Sequence, residues 1–424
     1  MRRRRTDAFG AWRGAASDRP KGASLRVLVH DFSGHPFQID LSRRLAQRGY
    51  EVIHVYCPSY ASGKGRFSDG SKLDIIEIPL GAGFRRYNPI IRIFQELLYG
   101  LRFIQIIRTR DPDIVISCND PLLAKAIFGM WCTLRKIRWI FWLQDIYSVA
   151  MTREIHKRHL PFAGLMGAML QSIERHLLHS SECVVLITED FWPVLDRWGI
   201  READCSVIEN WAPIEEIPLR PRVNDWGISV GIASNPTFIY SGTLGLKHNP
   251  DLLYDLANHV LSRGAQVIVI SEGMGIDRLC ALQSEHELPN LRLLPFQPYE
   301  RLPDVLGSAD VLLVLLERDA GVFSVPSKVL NCLCSGRPIL GVMPRENLAA
   351  RTILRANAGN VVDPGDQAGF LDAADTLLRD EAMRKAMGSR AREFAELKFN
   401  GDAIADQFEV LLTRVAGSSI ETTN

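Results

Sequence analysis

The 424-residue sequence lacks the run of about 18 consecutive apolar residues that a transmembrane helix needs. Its N-terminal arginine run is not followed by the apolar segment of a signal peptide. The formal net charge is only +1, which argues against a nucleic-acid partner, because such proteins usually carry a basic excess. These absences predict a protein that works in the cytoplasm or at the inner face of the plasma membrane.

Metal and dinucleotide motifs are also missing. The eight cysteines are scattered without paired metal-ligand spacing, mostly in apolar runs, which predicts reduced and buried thiols. Asp111-Pro112-Asp113 precedes an apolar run instead of following one, so we interpret it as the start of a strand. The first strand-to-helix turn has only Gly34 of the three glycines that a dinucleotide fingerprint requires. We therefore predict no bound metal and no nicotinamide or flavin cofactor.

The composition is that of a globular protein, with 46% hydrophobic and 23% charged residues. Short, nearly continuous apolar runs alternate with helical segments, which predicts an α/β fold with parallel sheets covered on both faces. The expected strands are 25–30, 51–56, 73–80, 113–118, 137–143, 183–188, 237–241, 266–271, 291–294, 310–316, 338–342 and 359–362.

The strand pattern is interrupted once, by a proline- and glycine-rich stretch at 209–235. We expect a flexible basic tail at 1–24, one doubly wound domain at 25–212, a linker at 213–235 and a second domain at 236–395. We expect residues 396–424 to form a helix that packs across the domain boundary. Such sheets bind ligands at the carboxyl ends of their strands, so two facing domains place a cleft between those edges.

Two loops in the second half suit phosphate. The first is Ser241-Gly242-Thr243-Leu244-Gly245-Leu246-Lys247, where glycines expose backbone N–H groups beside a lysine. The second is Ser324-Val325-Pro326-Ser327-Lys328, where a helix start and a lysine make another anion site. Asn331 shares a helix face with Lys328 and could hold a ribose hydroxyl. Two phosphate-type sites suggest a diphosphate; the alternative for the second loop is a solvated helix start.

Three segments in this order resemble a known family. They are the glycine loop at 241–247, the apolar segment 308–315, and Val325–Pro338 with the second loop. The segment from about 25 to about 412 resembles glycosyltransferase family 4, and more narrowly its bacterial exopolysaccharide and colanic-acid type. The resemblance implies the GT-B fold, with two Rossmann-like domains facing across a cleft. It also implies retention of configuration, a nucleotide-sugar in the C-terminal half and no cofactor or metal.

The resemblance assigns roles in the donor site. Lys247 would contact the donor diphosphate and stabilise it as a catalytic group, helped by Gly242 and the backbone at 323–327, while Asn331 would bind the ribose. Asn331 stands where the family usually has the second Glu of a Glu-x7-Glu pair, and Phe323 stands where the first is often found. The turn containing Phe296 and Gln297 resembles the segment that reads the nucleotide base.

In the first half, Gln144-Asp145 resembles a family segment that often reads His-Asp. Asp145 is a candidate catalytic group that would hold a sugar hydroxyl or accept a proton; alternatively it caps the next helix. Together with Gln144 and Asp145, Gly34 and His35 are candidate acceptor-side residues of the cleft. The alternatives for Gly34 and His35 are a tight turn and an exposed histidine. Asn210-Trp211 resembles the family's Asn-Gly hinge, with Trp in place of glycine.

Two segments suit a membrane surface. In 84–110, Ile90, Phe94, Leu97 and Leu101 form a helical stripe, which we expect to pack on the sheet. The basic excess of that segment nevertheless suits an anionic membrane. The second candidate is 160–178, with Lys157 and Arg158 nearby, and the arginine-rich tail would add to the attraction. A lipid-linked acceptor would explain all three.

The sequence thus predicts a retaining glycosyltransferase that moves a sugar from a nucleotide-diphosphate donor to a glycan or lipid-linked acceptor, in bacterial surface or exopolysaccharide biosynthesis. Two alternatives remain open. One is a nucleotide-sugar epimerase of the same fold, and the other is a non-catalytic donor-binding or scaffold subunit of polysaccharide assembly.

Overall fold

A computed structural model of the protein describes residues 24–60, 71–81, 89–157, 159, 161–245, 248–320 and 325–417. The chain builds two parallel sheets with helices on their faces. The first sheet has seven strands in the order β3-β2-β1-β4-β5-β6-β7. These strands are β1 Arg26–Asp31, β2 Glu51–Tyr56, β3 Leu73–Glu77, β4 Ile114–Cys118, β5 Arg138–Leu143, β6 Cys183–Leu186 and β7 Cys205–Val207. Its helices are α1 Pro36–Gln47, α2 Pro89–Arg110, α3 Leu122–Arg135, α4 Tyr147–Lys157, α5 Ala163–Ser180 and α6 Trp192–Arg197.

The second sheet has six strands in the order β10-β9-β8-β11-β12-β13. The short helix α7, Asp225–Ser229, lies between the two sheets in sequence. The strands are β8 Thr237–Ser241, β9 Gln266–Ile270, β10 Leu291–Leu294, β11 Val311–Leu315, β12 Ile339–Val342 and β13 Gly359–Val362. The helices are α8 Asp251–Val260, α9 Met274–Glu285, α10 Leu302–Gly307, α11 Lys328–Cys334, α12 Leu348–Arg355, α13 Gln367–Arg379, α14 Glu381–Lys398 and α15 Gly401–Gly417.

The strand order reverses once in each sheet. In the first sheet the chain leaves β1 toward β2 and β3, then crosses to β4 on the other side of β1. The second sheet repeats this arrangement around β8, with β9 on one side and β11 on the other. The carboxyl ends of β1 and β8 are therefore the switch points at which open α/β sheets bind ligands. The predicted strands and the doubly wound α/β class are confirmed, and β7 is an additional strand.

The last helix returns to the first half of the chain. α15 packs against α1 and also reaches β4. Arg48, the residue after α1, pairs with Asp406 at 2.6 Å, and Arg44 of α1 pairs with Asp402 at 3.0 Å. The arginine side chains are mostly covered while their carboxylate partners are largely exposed, so these pairs orient the helix more than they stabilise it.

Trp211 occupies the position at which the resemblance to family 4 leads us to expect a glycine. Its indole is buried and stacks on Trp142 of β5 with ring centroids 6.1 Å apart. Phe37 of α1 meets it edge-on at 5.6 Å, and Phe408 of α15 packs on Trp142 at 4.9 Å. The indole N–H donates to Asp40 at 2.9 Å. This aromatic cluster, Phe37, Trp142, Trp211 and Phe408, therefore joins the first sheet, the segment that follows β7 and the last helix.

The stripe on α2 does not pack on the sheet, so that expectation is wrong. Phe94 is 68% exposed and Leu101 is 59% exposed. The buried side of α2 carries Tyr99 and Phe103 instead. Gly100 brings this side so close to α3 that a Cβ there would lie 3.1 Å from the Ala124 carbonyl oxygen. The helix has two apolar faces, and sequence spacing alone does not distinguish them.

Within the ranges given above, the helices include none with the length and apolarity needed to cross a bilayer.

Truncation of Trp211 tests the aromatic cluster. We expect Trp211→Ala to lower the free energy of unfolding by about 3–5 kcal/mol, because it opens a cavity shared by three elements. Trp211→Phe keeps a ring and loses mainly the hydrogen bond to Asp40, so its loss should be clearly smaller. Urea unfolding followed by tryptophan fluorescence and circular dichroism measures both. Equal unfolding midpoints for the parent and Trp211→Ala would show that the cluster does not hold the elements together.

Candidate functional site

The glycine loop after β8 lies at the switch point of the second sheet. Gly242 has φ +137°, a conformation that side-chain-bearing residues rarely adopt. A Cβ at this position would also lie 3.3 Å from both Cε and Nζ of Lys328. The two predicted phosphate loops therefore meet, with the backbone of the first beside the lysine of the second.

Lys328 is held by groups of the first loop. Its ammonium donates to the hydroxyl of Tyr240 and lies 4.0 Å from the centre of that ring. The carbonyl oxygen of Thr243 is 3.4 Å from the ammonium and also accepts a hydrogen bond from the Tyr240 hydroxyl at 2.7 Å. Burial lowers the pKa of Lys328 to about 7, and no carboxylate of the described residues opposes this shift. Tyr240 was not predicted from sequence, because it reads as an ordinary buried strand residue.

The helix of the second loop is α11, which begins at Lys328, two residues after Pro326. Ser327 is its N-cap residue, but the Ser327 side chain makes no capping hydrogen bond. Val325, which lies before the helix, is half-buried. Asn331 lies one turn into the helix and is also half-buried. Asn331 therefore shares the side of α11 that carries Lys328.

Several of the discussed residues lie outside the described ranges. Lys247, which the resemblance makes the principal diphosphate contact, is one of them, and Phe323 and Ser324 are two more. Arg158, Leu246 and residues 1–23 of the predicted basic tail also lie outside these ranges.

The predicted base-binding turn follows β10, two strands away from β8 at the same edge of the sheet. Phe296 is partly buried there. The side-chain oxygen of Gln297 accepts a hydrogen bond from the indole of Trp226 at 3.1 Å, and its nitrogen donates to the Pro295 carbonyl at 2.9 Å. The amide of Gln297 is therefore already fixed by protein contacts.

In the first half, the turn after β1 is organised by Asp31. This buried carboxylate accepts the backbone N–H of Ser33 at 3.0 Å and that of His35 at 2.5 Å. Burial raises the pKa of Asp31 to about 7, although these N–H groups favour its charged form. Gly34 adopts φ +76° in the turn, and the His35 ring stacks on Phe37 at 5.7 Å. Asp31 was missed as a functional residue, although its position directly after an apolar strand was a usable signal.

Gln144 and Asp145 follow β5 at the same edge. Gln144 is buried and forms two hydrogen bonds with Asn210 of the hinge segment, at 3.1 and 2.6 Å. The amide pair thus ties the end of β5 to the chain segment that leaves the first sheet. Asp145 is only partly buried, next to the start of α4. In the first turn of α4, the N–H groups of Tyr147 and Ser148 donate to Glu174 of α5 at 3.1 and 2.9 Å.

A charged network lies beneath this edge and was not predicted. Asp120, which follows β4, pairs with His30 at 2.9 Å and with Lys125 at 3.5 Å, and it accepts the Ser117 hydroxyl. The other ring nitrogen of His30 is 2.9 Å from the Tyr99 hydroxyl. All these side chains are buried, and burial lowers the pKa of Lys125. The network fixes β1, β4, α2 and α3 relative to one another.

Ion pairs connect the halves. Arg351 of α12 donates to both carboxylate oxygens of Asp190 at 3.0 and 2.9 Å. Lys157 of α4 pairs with Asp319 at 3.1 Å. The two sheet edges are therefore held near each other, and Lys157 is engaged in this contact.

Comparison with known families gives two matches that together span most of the chain. Residues 38–216 match the family described as Glycosyltransferase Family 4, and residues 229–394 match Glycosyl transferases group 1. WcaI of Escherichia coli K12, named as a colanic acid biosynthesis glycosyl transferase, is 24% identical over 308 residues, covering 71% of this chain and 74% of WcaI.

Solved structures show the same fold. The sucrose-phosphate synthase of Thermosynechococcus elongatus is similar with a TM-score of 0.70 at 16% identity, covering 93% of this chain and 100% of that one. Anabaena HepE in complex with UDP and glucose is similar with a TM-score of 0.68 at 14% identity, covering 92% and 100%. The predicted resemblance and the GT-B fold are confirmed: the chain belongs to the family 4 and group 1 glycosyltransferases and is a glycosyltransferase of the GT-B fold.

Proposed function

We propose that the protein is a retaining glycosyltransferase that moves a sugar from a nucleotide-diphosphate donor to a glycan or lipid-linked acceptor in bacterial surface or exopolysaccharide biosynthesis. The observation that carries the proposal is the meeting of Gly242 and Lys328 at the switch point of the second sheet. A glycine backbone beside a lysine suits a diphosphate, and no carboxylate of the described residues neutralises this lysine.

The catalytic contribution would be electrostatic. Departure of the diphosphate leaves negative charge on its oxygens, which Lys328 and the Gly242 backbone would stabilise in a site poor in water. Lys247 would add a second cation, Val325 and Ser327 would supply backbone contacts, and Asn331 would hold the ribose. The nucleotide-sugar is the substrate, and the proposal requires no further cofactor and no metal.

The first sheet would supply the acceptor side. Asp145 follows β5 at its carboxyl edge and remains partly exposed, so it can bind an acceptor hydroxyl or take its proton. Asp31 positions the Gly34–His35 backbone at the neighbouring strand end. The ion pairs Arg351–Asp190 and Lys157–Asp319 favour an arrangement in which both sides of the cleft are close.

The relatives support the same pathway and donor classes. WcaI is named for colanic acid biosynthesis, and WaaG, a GT-B neighbour with a TM-score of 0.64, is described as involved in lipopolysaccharide biosynthesis. HepE structures are described as complexes with UDP and with UDP-glucose. UDP is therefore the first donor nucleotide that we would test.

We also propose that the protein docks on an anionic membrane. Helices α2, α3 and α5 lie side by side, and they carry most of the large apolar side chains that the described residues expose. We call this surface the apolar face; it consists of Ile91, Ile93, Phe94, Leu97, Leu98, Leu101, Met130, Leu134, Phe162, Leu165, Met166 and Met169.

Basic groups lie beside the apolar face and indicate its occupant. A groove of about 570 Å³ between α2 and α3 is lined by Leu101, Ile104 and Trp131, with Arg108 among its walls. The guanidinium of Arg135 lies 4.6 Å from the Trp131 ring, and that of Arg108 lies 5.9 Å from it. Apolar side chains next to arginines and a tryptophan are typical of surfaces that bind anionic lipid.

Donor binding tests the proposed site. We expect Lys328→Ala to weaken UDP binding by about 10- to 100-fold, because a charge-assisted contact to phosphate is lost. Asn331→Ala should weaken it less, since a neutral hydrogen bond is lost. Lys398→Ala, which removes an exposed lysine at the end of α14, is the matched control and should bind as the parent does. Isothermal titration over UDP, GDP, ADP and dTDP measures this; equal affinity of the parent and Lys328→Ala for every nucleotide would refute the site.

The pH dependence of donor binding follows from Lys328. The lysine is charged below its pKa of about 7 and increasingly neutral above it, and the diphosphate binds the charged form. Binding is therefore strongest below pH 7 and weakens as pH rises, by about five-fold from pH 7 to pH 8. Lys328→Arg retains its charge over this range, so its binding should stay nearly flat. The same slope in both proteins would show that another group causes it.

Vesicle binding tests the apolar face. The double variant Phe94→Ser, Leu101→Gln should lose most of its binding to vesicles containing phosphatidylglycerol, because it removes two exposed apolar anchors. Leu397→Gln changes an equally exposed leucine on α14 and should bind like the parent. Co-sedimentation at low and high salt measures the effect. Vesicle binding that does not depend on lipid charge, or an equal loss in Leu397→Gln, would contradict docking through the apolar face.

A further inference from the structure

A second basic cavity lies at the opposite edge of the second sheet. Asp310 and Pro338, which line it, directly precede β11 and β12, so the cavity is at the amino ends of strands whose carboxyl ends approach the donor site. Its volume is about 440 Å³, within the range of small-molecule sites. A strand of five residues spans roughly 17 Å, which separates the cavity from Gly242 and Lys328.

The closeness of α14 shapes this cavity. A Cβ on Gly388 would lie 2.3 Å from the carbonyl oxygen of Gly336, so only glycine allows this approach of helix and loop. Lys385, Ser389 and Arg392 line the cavity at i, i+4 and i+7 of the helix. The helix therefore presents two cations and a hydroxyl on one side.

Positive charge dominates the lining. Five cations face two acids, and the lining cations are Arg222, Arg337, Arg384, Lys385 and Arg392. Asp310 pairs with Arg222 at 2.8 Å, and Glu381 pairs with Lys385 at 2.7 Å. Both acids are thus already paired within the cavity.

These pairs leave three lining cations. Arg392 pairs with Glu396 at 2.7 Å, and Arg384 donates to two backbone carbonyls at the end of α13. Arg337 is the least satisfied of the three. Its one hydrogen bond in the described residues goes to the Arg220 carbonyl at 3.0 Å, and no described carboxylate pairs with it. Nε of Arg337 and Nη1 of Arg222 are buried without a hydrogen-bond partner in the same ranges. Burial and the neighbouring charge of Arg222 lower the pKa of Arg337, and Asp310, which is already bound to Arg222, opposes this shift only in part. A partly buried guanidinium with an unpartnered N–H group is favoured by an anion that completes its contacts.

We propose that this cavity is a second ligand site that binds a small phosphate-bearing molecule, with Arg337 as its principal contact and Lys385, Ser389 and Arg222 as further donors. Guanidinium groups match phosphate because their N–H groups bind two oxygens at once. The site is independent of the donor diphosphate site, so a ligand here would act on the protein from the far edge of the sheet.

Thermal unfolding of the full chain with inorganic phosphate tests this site, with sodium chloride matching the ionic strength. We expect phosphate to raise the unfolding midpoint by about 2 °C in the parent. The shift should persist in Lys328→Ala, which disables the donor site, and in Arg355→Gln, which removes an exposed arginine elsewhere. It should vanish in Arg337→Gln and shrink in Lys385→Gln. If a hexose phosphate raises the unfolding midpoint more than inorganic phosphate does, the site binds the sugar as well as the phosphate group.

The variants also distinguish a ligand contact from a structural one. Without phosphate, Arg337→Gln should unfold at the parent's midpoint or above it, because an uncompensated charge is gone; a structural arginine would lower it. If Arg337→Gln does not fold, Lys385→Gln decides, since that lysine is exposed. An unchanged phosphate shift in both variants, a shift lost in Lys328→Ala, or no shift in the parent would overturn the proposal.

Discussion

The return of the last helix to the first half is the constraint on which the arrangement of this protein depends. Phe408 of α15 packs on Trp142 of β5, and Trp142 stacks on Trp211 of the segment between the sheets. One aromatic cluster therefore connects three parts of the chain that are distant in sequence. Because Gln144 follows β5 and pairs with Asn210 beside Trp211, the same cluster supports the carboxyl edge of the first sheet.

The two cleft edges are electrically different, which suits transfer between an anionic donor and a neutral hydroxyl. The edge of the second sheet offers a lysine whose described neighbours are a neutral tyrosine and a carbonyl group. The edge of the first sheet carries carboxylates, of which Asp31 is buried and has a raised pKa. A diphosphate would be attracted to the first of these environments, whereas a proton from an acceptor hydroxyl would be drawn to the second.

The sequence predicted the strands because parallel strands buried on both faces are continuous apolar runs. It missed β7, whose three residues Cys205, Ser206 and Val207 form no such run. It located Gly242 and Lys328 separately, and their contact is a consequence of folding. Tyr240 and the Asp120 network were not predictable by pattern, because a buried polar group is recognised by partners that lie far away in sequence. The prediction that the α2 stripe packs on the sheet was wrong for a related reason. Two apolar faces on one helix have the same period, so spacing does not show which face is buried.

The ion pairs that bridge the halves have a consequence for motion. Lys157–Asp319 is mostly exposed and Arg351–Asp190 is about one-third exposed, and pairs of this kind contribute about 0–1 kcal/mol each. Separating the sheet edges would break both pairs but return four charged groups to water, so these pairs by themselves oppose separation only weakly. Where such contacts are weak, a ligand with modest binding energy can change the spacing of the edges. A substrate that touches both edges can therefore use a small part of its binding energy to select the closed form.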